Sequence, residues 1–259
     1  MRILVLMRQL PDLVEELEIS SEGTDIDREL VKFVMNEFDD QALEEALLLK
    51  ESSGAEVVVV ALDEPDVDQA LYTAIAKGAD RAVKLTGVSN ERWMSTHERA
   101  AILAPYVEES AADLVLTGVQ AADDLDGQLA GVLAGLLGLP HAAVVVGVEL
   151  KDSTVLVTQE LGGGRSVDEE IDLPAVLGLQ AARQAPRYAP ISKIRQVTQA
   201  GGIEEVAAHT PPEASATAIS LRRLYVPERS GHAEMLEGTP GEVAERIAEI
   251  LRSRGLVKG

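Results

Sequence analysis

The residues best placed to do chemistry lie in one run, TGVQAADDLDGQLAG, at positions 117–131. An apolar stretch precedes it and a small-residue helical pattern follows, so it reads as a loop between a strand and a helix. In open α/β sheets ligands bind beyond the carboxyl ends of strands, and main-chain N–H groups at a helix start hold a phosphate without a basic side chain. The glycines allow that close approach. On spacing alone a second reading stays open, in which Asp126 is a plain N-cap whose own carboxylate takes the anion position. Asp123, Asp124 and Asp126 have the composition of a magnesium site. Without a P-loop lysine or a carboxylate supplied from elsewhere, they are expected to form a solvated acidic loop, and no metal site is predicted. His97, His141, His209 and His232 are dispersed and never at ligand or general-base spacing, which suits surface or packing roles. The run GGGR at 162–165 falls in a hairpin rather than ahead of a helix. With no cysteine in the chain, thiolate chemistry and disulfides are excluded, and no catalytic residue is expected.

The elements that must position this loop follow from periodicity. RILVLM (2–7) and EVVVVAL (56–62) are continuous apolar runs, as in parallel strands covered on both faces. RAVKL (81–85), DLVLTG (113–118) and HAAVVVGVEL (141–150) continue the series. Between them lie amphipathic segments: one from Asn36 as N-cap, one ending at Gly78, one through THERAAILAPYVEES with a break or kink near Pro105, and GQLAGVLAGLLGL (127–139). ALEEALLLK within the first of these reads as ordinary amphipathic helix. The alternation predicts a doubly wound, mostly parallel α/β sheet of Rossmann-like type. STVLVTQEL and SVDEEIDL around Gly162–Gly164 predict an added antiparallel hairpin, and LPAVLGLQ (173–180) one more strand. ARQAPRYAPISKIRQVTQAGG reads as an exposed loop and linker. Near the end Thr239 and Pro240 start a helix whose Val243, Ile247, Ile250 and Leu251 form one apolar stripe. The expected division is 1–195, an α/β domain, and 196–259, an extended arm ending in that helix.

Charge separates the same two parts. Residues 1–180 hold 12 basic and 35 acidic side chains, whereas 181–259 hold 11 and 9. An overall formal charge of −21 repels phosphate backbones and anionic membranes, so no nucleic-acid partner and no membrane insertion are expected. The near-neutral tail suits a segment facing a partner; a very salty host cytoplasm is the other explanation for the acidic remainder. No apolar run approaches bilayer length and the start lacks a signal-peptide plan, which predicts a cytoplasmic protein.

Four segments, MNEFDDQALEEALLLKE (35–51), KGADRAV (77–83), DLVLTGVQAADD (113–124) and LPAVLGLQAARQAPRYAPISKI (173–194), fall together in the order and spacing of one family. The chain resembles the β subunit of electron-transfer flavoprotein, including its nitrogen-fixation-related branch. The resemblance implies a heterodimer with an α subunit that carries the redox FAD, and electron flow from acyl-CoA dehydrogenases of fatty acid oxidation, or similar flavoproteins, toward quinone. It also implies an adenine-nucleotide pocket in the β subunit, holding AMP in most relatives and a second FAD in bifurcating ones. Carried over by position, that pocket would use Leu6, Asn36, Phe38, Asp39, Leu62, Gly118, Gln120, Ala121, Asp123 and Asp126, with amides of Gly127, Gln128 and Leu129 at the phosphate. Leu13 and Phe38 would face the partner's isoalloxazine ring. Pro186, Arg187, Tyr188, Ile191 and Ile194 would belong to the docking loop, with Ile191 as its apolar anchor, and Glu160 would touch the mobile flavin domain.

The chain also departs from that pattern. Gly127, Gln128, Leu129 and Ala130 stand where AMP-holding relatives carry Asn-Gln-Thr-Gly, so a phosphate-contacting hydroxyl is lost, and Asp126 adds a carboxylate. RQVTQAGG replaces the lysine cluster that usually follows the docking loop. The alternatives are a bifurcating-type subunit with a second FAD, a stand-alone adenine-nucleotide-binding protein, and an interaction subunit whose pocket is empty.

Overall fold

The computed structural model describes residues 1–88, 93–124, 127–209, 221–227, 233 and 235–257. Contacts divide the chain into two compact units, Met1–Leu224 and Tyr225–Gly259. The expected boundary at 195/196 instead falls inside a helix of the first unit.

In that unit a nine-stranded sheet is built from β1 (Arg2–Met7), β4 (Glu56–Leu62), β5 (Arg81–Thr86), β6 (Leu114–Gly118), β7 (His141–Leu150), β8 (Thr154–Gly162), β9 (Arg165–Asp172), β10 (Ala175–Leu179) and β11 (Ile203–Ala207), in the spatial order β11-β5-β4-β1-β6-β10-β7-β8-β9. All neighbours pair in parallel except β7-β8 and β8-β9, the predicted hairpin and its partner. A two-stranded antiparallel sheet, β2 (Gln9–Pro11) with β3 (Phe33–Met35), sits beside it. The helices are α1 (Glu37–Ser53), α2 (Val67–Lys77), α3 (Thr96–Ser110), α4 (Leu129–Leu137) and α5 (Ile191–Ala200).

Side-chain alternation along the strands makes two cores. Ile3, Val5, Val57, Val59, Leu114 and Leu116 point to one face, where Leu43 and Leu47 of α1 and Leu71 of α2 cover them. Leu4, Leu6, Val58, Val60 and Val115 point to the other, under Ile102 and Leu103 of α3 and Leu133 of α4. Helices on both faces make the sheet doubly wound, as the apolar runs predict. From β1 the chain winds outward through β4 and β5, then returns to lay β6 on the opposite side of β1. The connections leaving β1 and β6 therefore diverge, and a crevice opens beyond those two strand ends.

Three local expectations change. Helix α3 runs through Pro105 without interruption. Residues 191–200, expected as loop, form α5, because Ile191, Ile194 and Val197 recur at helical spacing; the flanking Pro186, Pro190, Gly201 and Gly202 are what suggested a loop. Beyond it, weakly patterned residues make β11, an edge strand paired in parallel with β5 from Ile203 to Ala207; Ile203 and Val206 pack against the two cores, and ion pairs, Arg81 to Glu204 at 2.5 Å and Lys84 to Glu205 at 3.1 Å, tie it further to β5. In the second unit α6 (Pro240–Ser253) has the predicted cap: Thr239 Oγ1 accepts the Glu242 N–H at 3.4 Å, the Thr239 N–H donates in return to Glu242 Oε2 at 2.7 Å, and none of the helix residues is buried.

Candidate functional site

The crevice is closed at its base by one carboxylate. Asp39, in the first turn of α1, is 4% exposed. Its Oδ2 accepts the Arg8 main-chain N–H just past β1, and its Oδ1 accepts the Gly118 N–H at the end of β6, both at 2.9 Å. Two diverging strands are thus bound to one side chain. Asn36 precedes α1 at the cap position, yet its side chain makes no capping bond; it is turned across the crevice, where Nδ2 donates to the Gln120 carbonyl at 2.9 Å. Gly118 has a steric reason to be glycine. A Cβ there would stand 2.5 Å from Asp39 Oδ1 and 2.7 Å from the Phe38 Cβ. Burial pushes Asp39 up to about 7, against the opposing pull of the Arg8 charge and of the two N–H donors.

Above this clamp lies an ion network. Arg8, 6% exposed, pairs with Asp123 and, at 2.6 Å, with Asp124, both on the loop after β6. Burial opposes its charge, but the two carboxylates hold the guanidinium above its ordinary value. Asp123 is pushed up by burial despite Arg8. Asp124 also closes its own turn, accepting the Ala121 N–H at 3.0 Å. The expected solvated acidic loop is therefore a half-buried one, folded inward because a cation ends the neighbouring strand. Behind it Arg99 of α3 pairs with Glu64 at 2.6 Å, and Trp93 Nε1 donates to the Asp123 carbonyl at 3.2 Å.

Four buried atoms here have no hydrogen-bond partner among the described residues: Arg8 Nε, Arg99 Nε, Gln9 Oε1 and Glu64 Oε2. Gln9, Glu64 and Arg99 line a cavity of about 20 Å³, room for one water. Next to it is a larger, mainly apolar cavity of about 240 Å³ walled by Leu13, Leu17, Trp93, Leu221 and Leu224, with Asp123 and Asp124 at its edge. Donors and acceptors without a partner among the described residues fit a polar ligand or a water that can both give and accept hydrogen bonds.

Of the predicted pocket residues, Asn36, Phe38, Asp39, Gly118, Gln120 and Gly127 are joined by direct contacts. Leu6 and Leu62 lie buried near the ends of the adjacent strands β1 and β4. Gly127, at φ +59°, lies against Gln120, and Leu129 opens α4. Ala121 is buried, Phe38 half-buried and Leu13 exposed. Asp126 lies outside the described residues. The docking set is elsewhere, around α5, with Tyr188 78% and Ile191 60% exposed and Ile194 resting near Gln69 of α2. Pro186 and Arg187 lead into it, Arg187 on Glu44 and Glu51 of α1. Glu160 stands exposed on β8, opposite Ser166. Among the described residues no cluster of three His, Cys, Asp or Glu could hold a metal ion, and no helix is long and apolar enough to cross a membrane.

Sequence reasoning did not select Arg8, Glu64, Arg99 or the buried glutamates of α1. The available signal was a lone arginine ending an apolar strand, opposite a pair of aspartates ending another; it becomes readable only once β1 and β6 are known to be neighbours.

Residues 24–212 match the family model described as electron transfer flavoprotein domain. Over its length the chain is similar to electron transfer flavoprotein subunit beta of Methylophilus methylotrophus, 37% identical with 97% of this chain and 98% of the relative covered. It is also similar to the protein of the same name from Dictyostelium discoideum, 30% identical with 99% of each covered. The caffeyl-CoA reductase-Etf complex subunit CarD of Acetobacterium woodii is 29% identical, with 99% and 100% covered.

Two outcomes follow from the clamp. Gly118→Ala should lower the free energy of unfolding by about 1–3 kcal/mol, read from urea midpoints, because the nearest atoms are the bonded Asp39 carboxylate, the Phe38 Cβ and the Asp39 main-chain N, none of which can swing away freely. In the folded protein Asp39 binds a proton near pH 7, whereas its ordinary value is 3.8. Wild type should therefore gain stability relative to Asp39→Asn as pH falls from about 8 toward 4; a constant difference across that range would refute the buried-acid assignment.

Proposed function

The chain belongs to the electron transfer flavoprotein family as a β-subunit member, and from that premise we propose that it pairs with a flavin-bearing α subunit and docks a donor dehydrogenase, so that electrons pass toward the quinone pool. The redox chemistry is supplied by FAD when bound, shared with or held by the α subunit. This chain's residues bind, orient and exclude water. Leu13 and Phe38 would form its side of the flavin-facing surface, and Glu160 would meet the moving flavin domain. The part of the expected 196–259 arm that follows β11 would pack on the α subunit, a role supported by the near-neutral charge of the tail and by the apolar stripe of α6.

The observation that carries the nucleotide-binding part of this reading is the crevice beyond β1 and β6. Leu6, Asn36, Asp39, Leu62, Gly118, Gln120, Ala121 and Asp123 would line an adenine-nucleotide site, with amides of Gly127, Gln128 and Leu129 at the phosphate and Asp126 beside it. Arg8 and Arg99, each with a buried N–H that has no partner among the described residues, supply positive charge that offsets Asp123 and Asp124. AMP is the simplest occupant. A second FAD is favoured by one feature, the apolar cavity of about 240 Å³ next to the same aspartates, which offers a flat ring room beyond the phosphate. Docking would use Pro186 to Ile194, with Ile191 entering an apolar pocket on an acyl-CoA dehydrogenase or similar flavoprotein.

Co-expression with its α subunit should yield a yellow heterodimer; a stable, colourless chain that ignores a flavin-bearing companion would contradict the reading. In that heterodimer Ile191→Ala should weaken reduction by the donor about tenfold or more in apparent affinity, as expected for losing a buried aliphatic anchor, with flavin content unchanged. An unaltered rate would remove the docking assignment.

A further inference from the structure

Helix α1 carries an unusual load for a core helix: Glu44 is 4% and Glu45 0% exposed. Buried carboxylates require partners, and both are supplied by the segment just ahead of α5. The Ala182 N–H donates to Gln41 Oε1 at 3.0 Å. Arg183 donates from its main-chain N to Glu45 Oε2 at 3.0 Å and from Nε to Glu45 Oε1 at 2.7 Å. Arg187 donates from its main-chain N to Glu44 Oε2 and from Nη2 to Glu44 Oε1, both at 2.8 Å, and from Nη1 to Glu51 Oε1 at 2.7 Å. Each buried glutamate thus receives one backbone N–H and one guanidinium. That pairing fixes the path of the main chain as well as the side chain, and a fork-to-carboxylate bond is directional. Ala189, 4% exposed, anchors the segment once more, between the exposed Tyr188 just before it and the exposed Ile191 two residues after it.

We propose that Glu44 and Glu45 are positioning residues for the docking segment, holding residues 182–190 on α1 so that Tyr188 and Ile191 are presented to the donor flavoprotein already ordered. The inference rests on the docking role given above to Ile191. Its physical content is preorganisation: a segment fixed before encounter does not lose chain and rotamer freedom on binding, so its release weakens association without touching the reaction itself. Removing one glutamate leaves the guanidinium on the more exposed side, where water can solvate it, so the effect falls on the segment rather than on the sheet.

The experiment uses the FAD-loaded heterodimer in the variants Glu44→Gln, Glu45→Gln, Arg187→Gln, Arg187→Lys and Ile191→Ala. Three quantities are read: deuterium exchange of peptides spanning 182–190, the KM and kcat for an acyl-CoA dehydrogenase reduced with its acyl-CoA, and flavin content. Expected for Glu44→Gln and Glu45→Gln is faster exchange confined to 182–190 and a KM raised roughly tenfold at unchanged kcat and flavin content, with Arg187→Lys recovering part of what Arg187→Gln loses. Unchanged exchange or unchanged KM in the glutamate variants, with KM raised by Ile191→Ala, overturns the positioning role and leaves docking at α5 intact. Unchanged KM in the glutamate variants and in Ile191→Ala overturns both. Should a glutamate variant fail to assemble, Arg187→Gln breaks the same bonds from the solvent side and is judged by the same outcomes.

Discussion

A buried carboxylate that accepts two main-chain N–H groups from different strands is the constraint on which the rest of this molecule depends. Asp39 joins the end of β1 to the end of β6, where the winding of the sheet reverses and the connections part. The bond pair explains why the position facing it is glycine, why Asn36 is free to reach the Gln120 carbonyl, and why the loop after β6 leaves the sheet where it does. It is costly in isolation, since burial drives the acid toward its neutral form. It persists because the carboxylate accepts both main-chain N–H groups, which offset the cost of its burial.

From that first turn α1 continues as a shared support. Its start holds the strand ends, its middle buries Leu43 and Leu47 against the sheet, and its polar flank carries Gln41, Glu44 and Glu45 to the chain ahead of α5. One helix therefore fixes the crevice and the segment 182–190, proposed above for docking, relative to the same sheet. The acid-rich composition also takes on local meaning. Much of the charge on α1 and on the loop after β6 is paired with arginine, Asp123 and Asp124 with Arg8, Glu44 with Arg187 and Glu45 with Arg183.

The sheet and its helices were legible in the sequence because apolar runs such as EVVVVAL and the glycine after α2 state their period directly. So was the strand-to-helix loop at 117–131. What stayed hidden is long-range pairing. Arg8 and Asp123 are separated by more than a hundred positions, and nothing in either neighbourhood says that they meet; the aspartates read as solvated for that reason. Glu44 and Glu45 look like the exposed flank of an amphipathic helix until a distant arginine segment covers them. Helix α5 was masked by the prolines and glycines that bound it, although Ile191, Ile194 and Val197 keep helical spacing. At β11 only Ile203 and Val206 face the cores, and the ladder to β5 and the ion pairs with Arg81 and Lys84 are contacts that no hydrophobic pattern announces.

The proposed role of the crevice beyond β1 and β6 is that of a cradle for an adenine nucleotide, held by main-chain amides and apolar rims. Its most direct test is to denature the purified heterodimer and identify the released small molecules by mass spectrometry, counted per polypeptide. The account predicts about one AMP or one FAD per β chain in addition to the flavin assigned to the α subunit. A complex that is fully active and releases only that single flavin would contradict it.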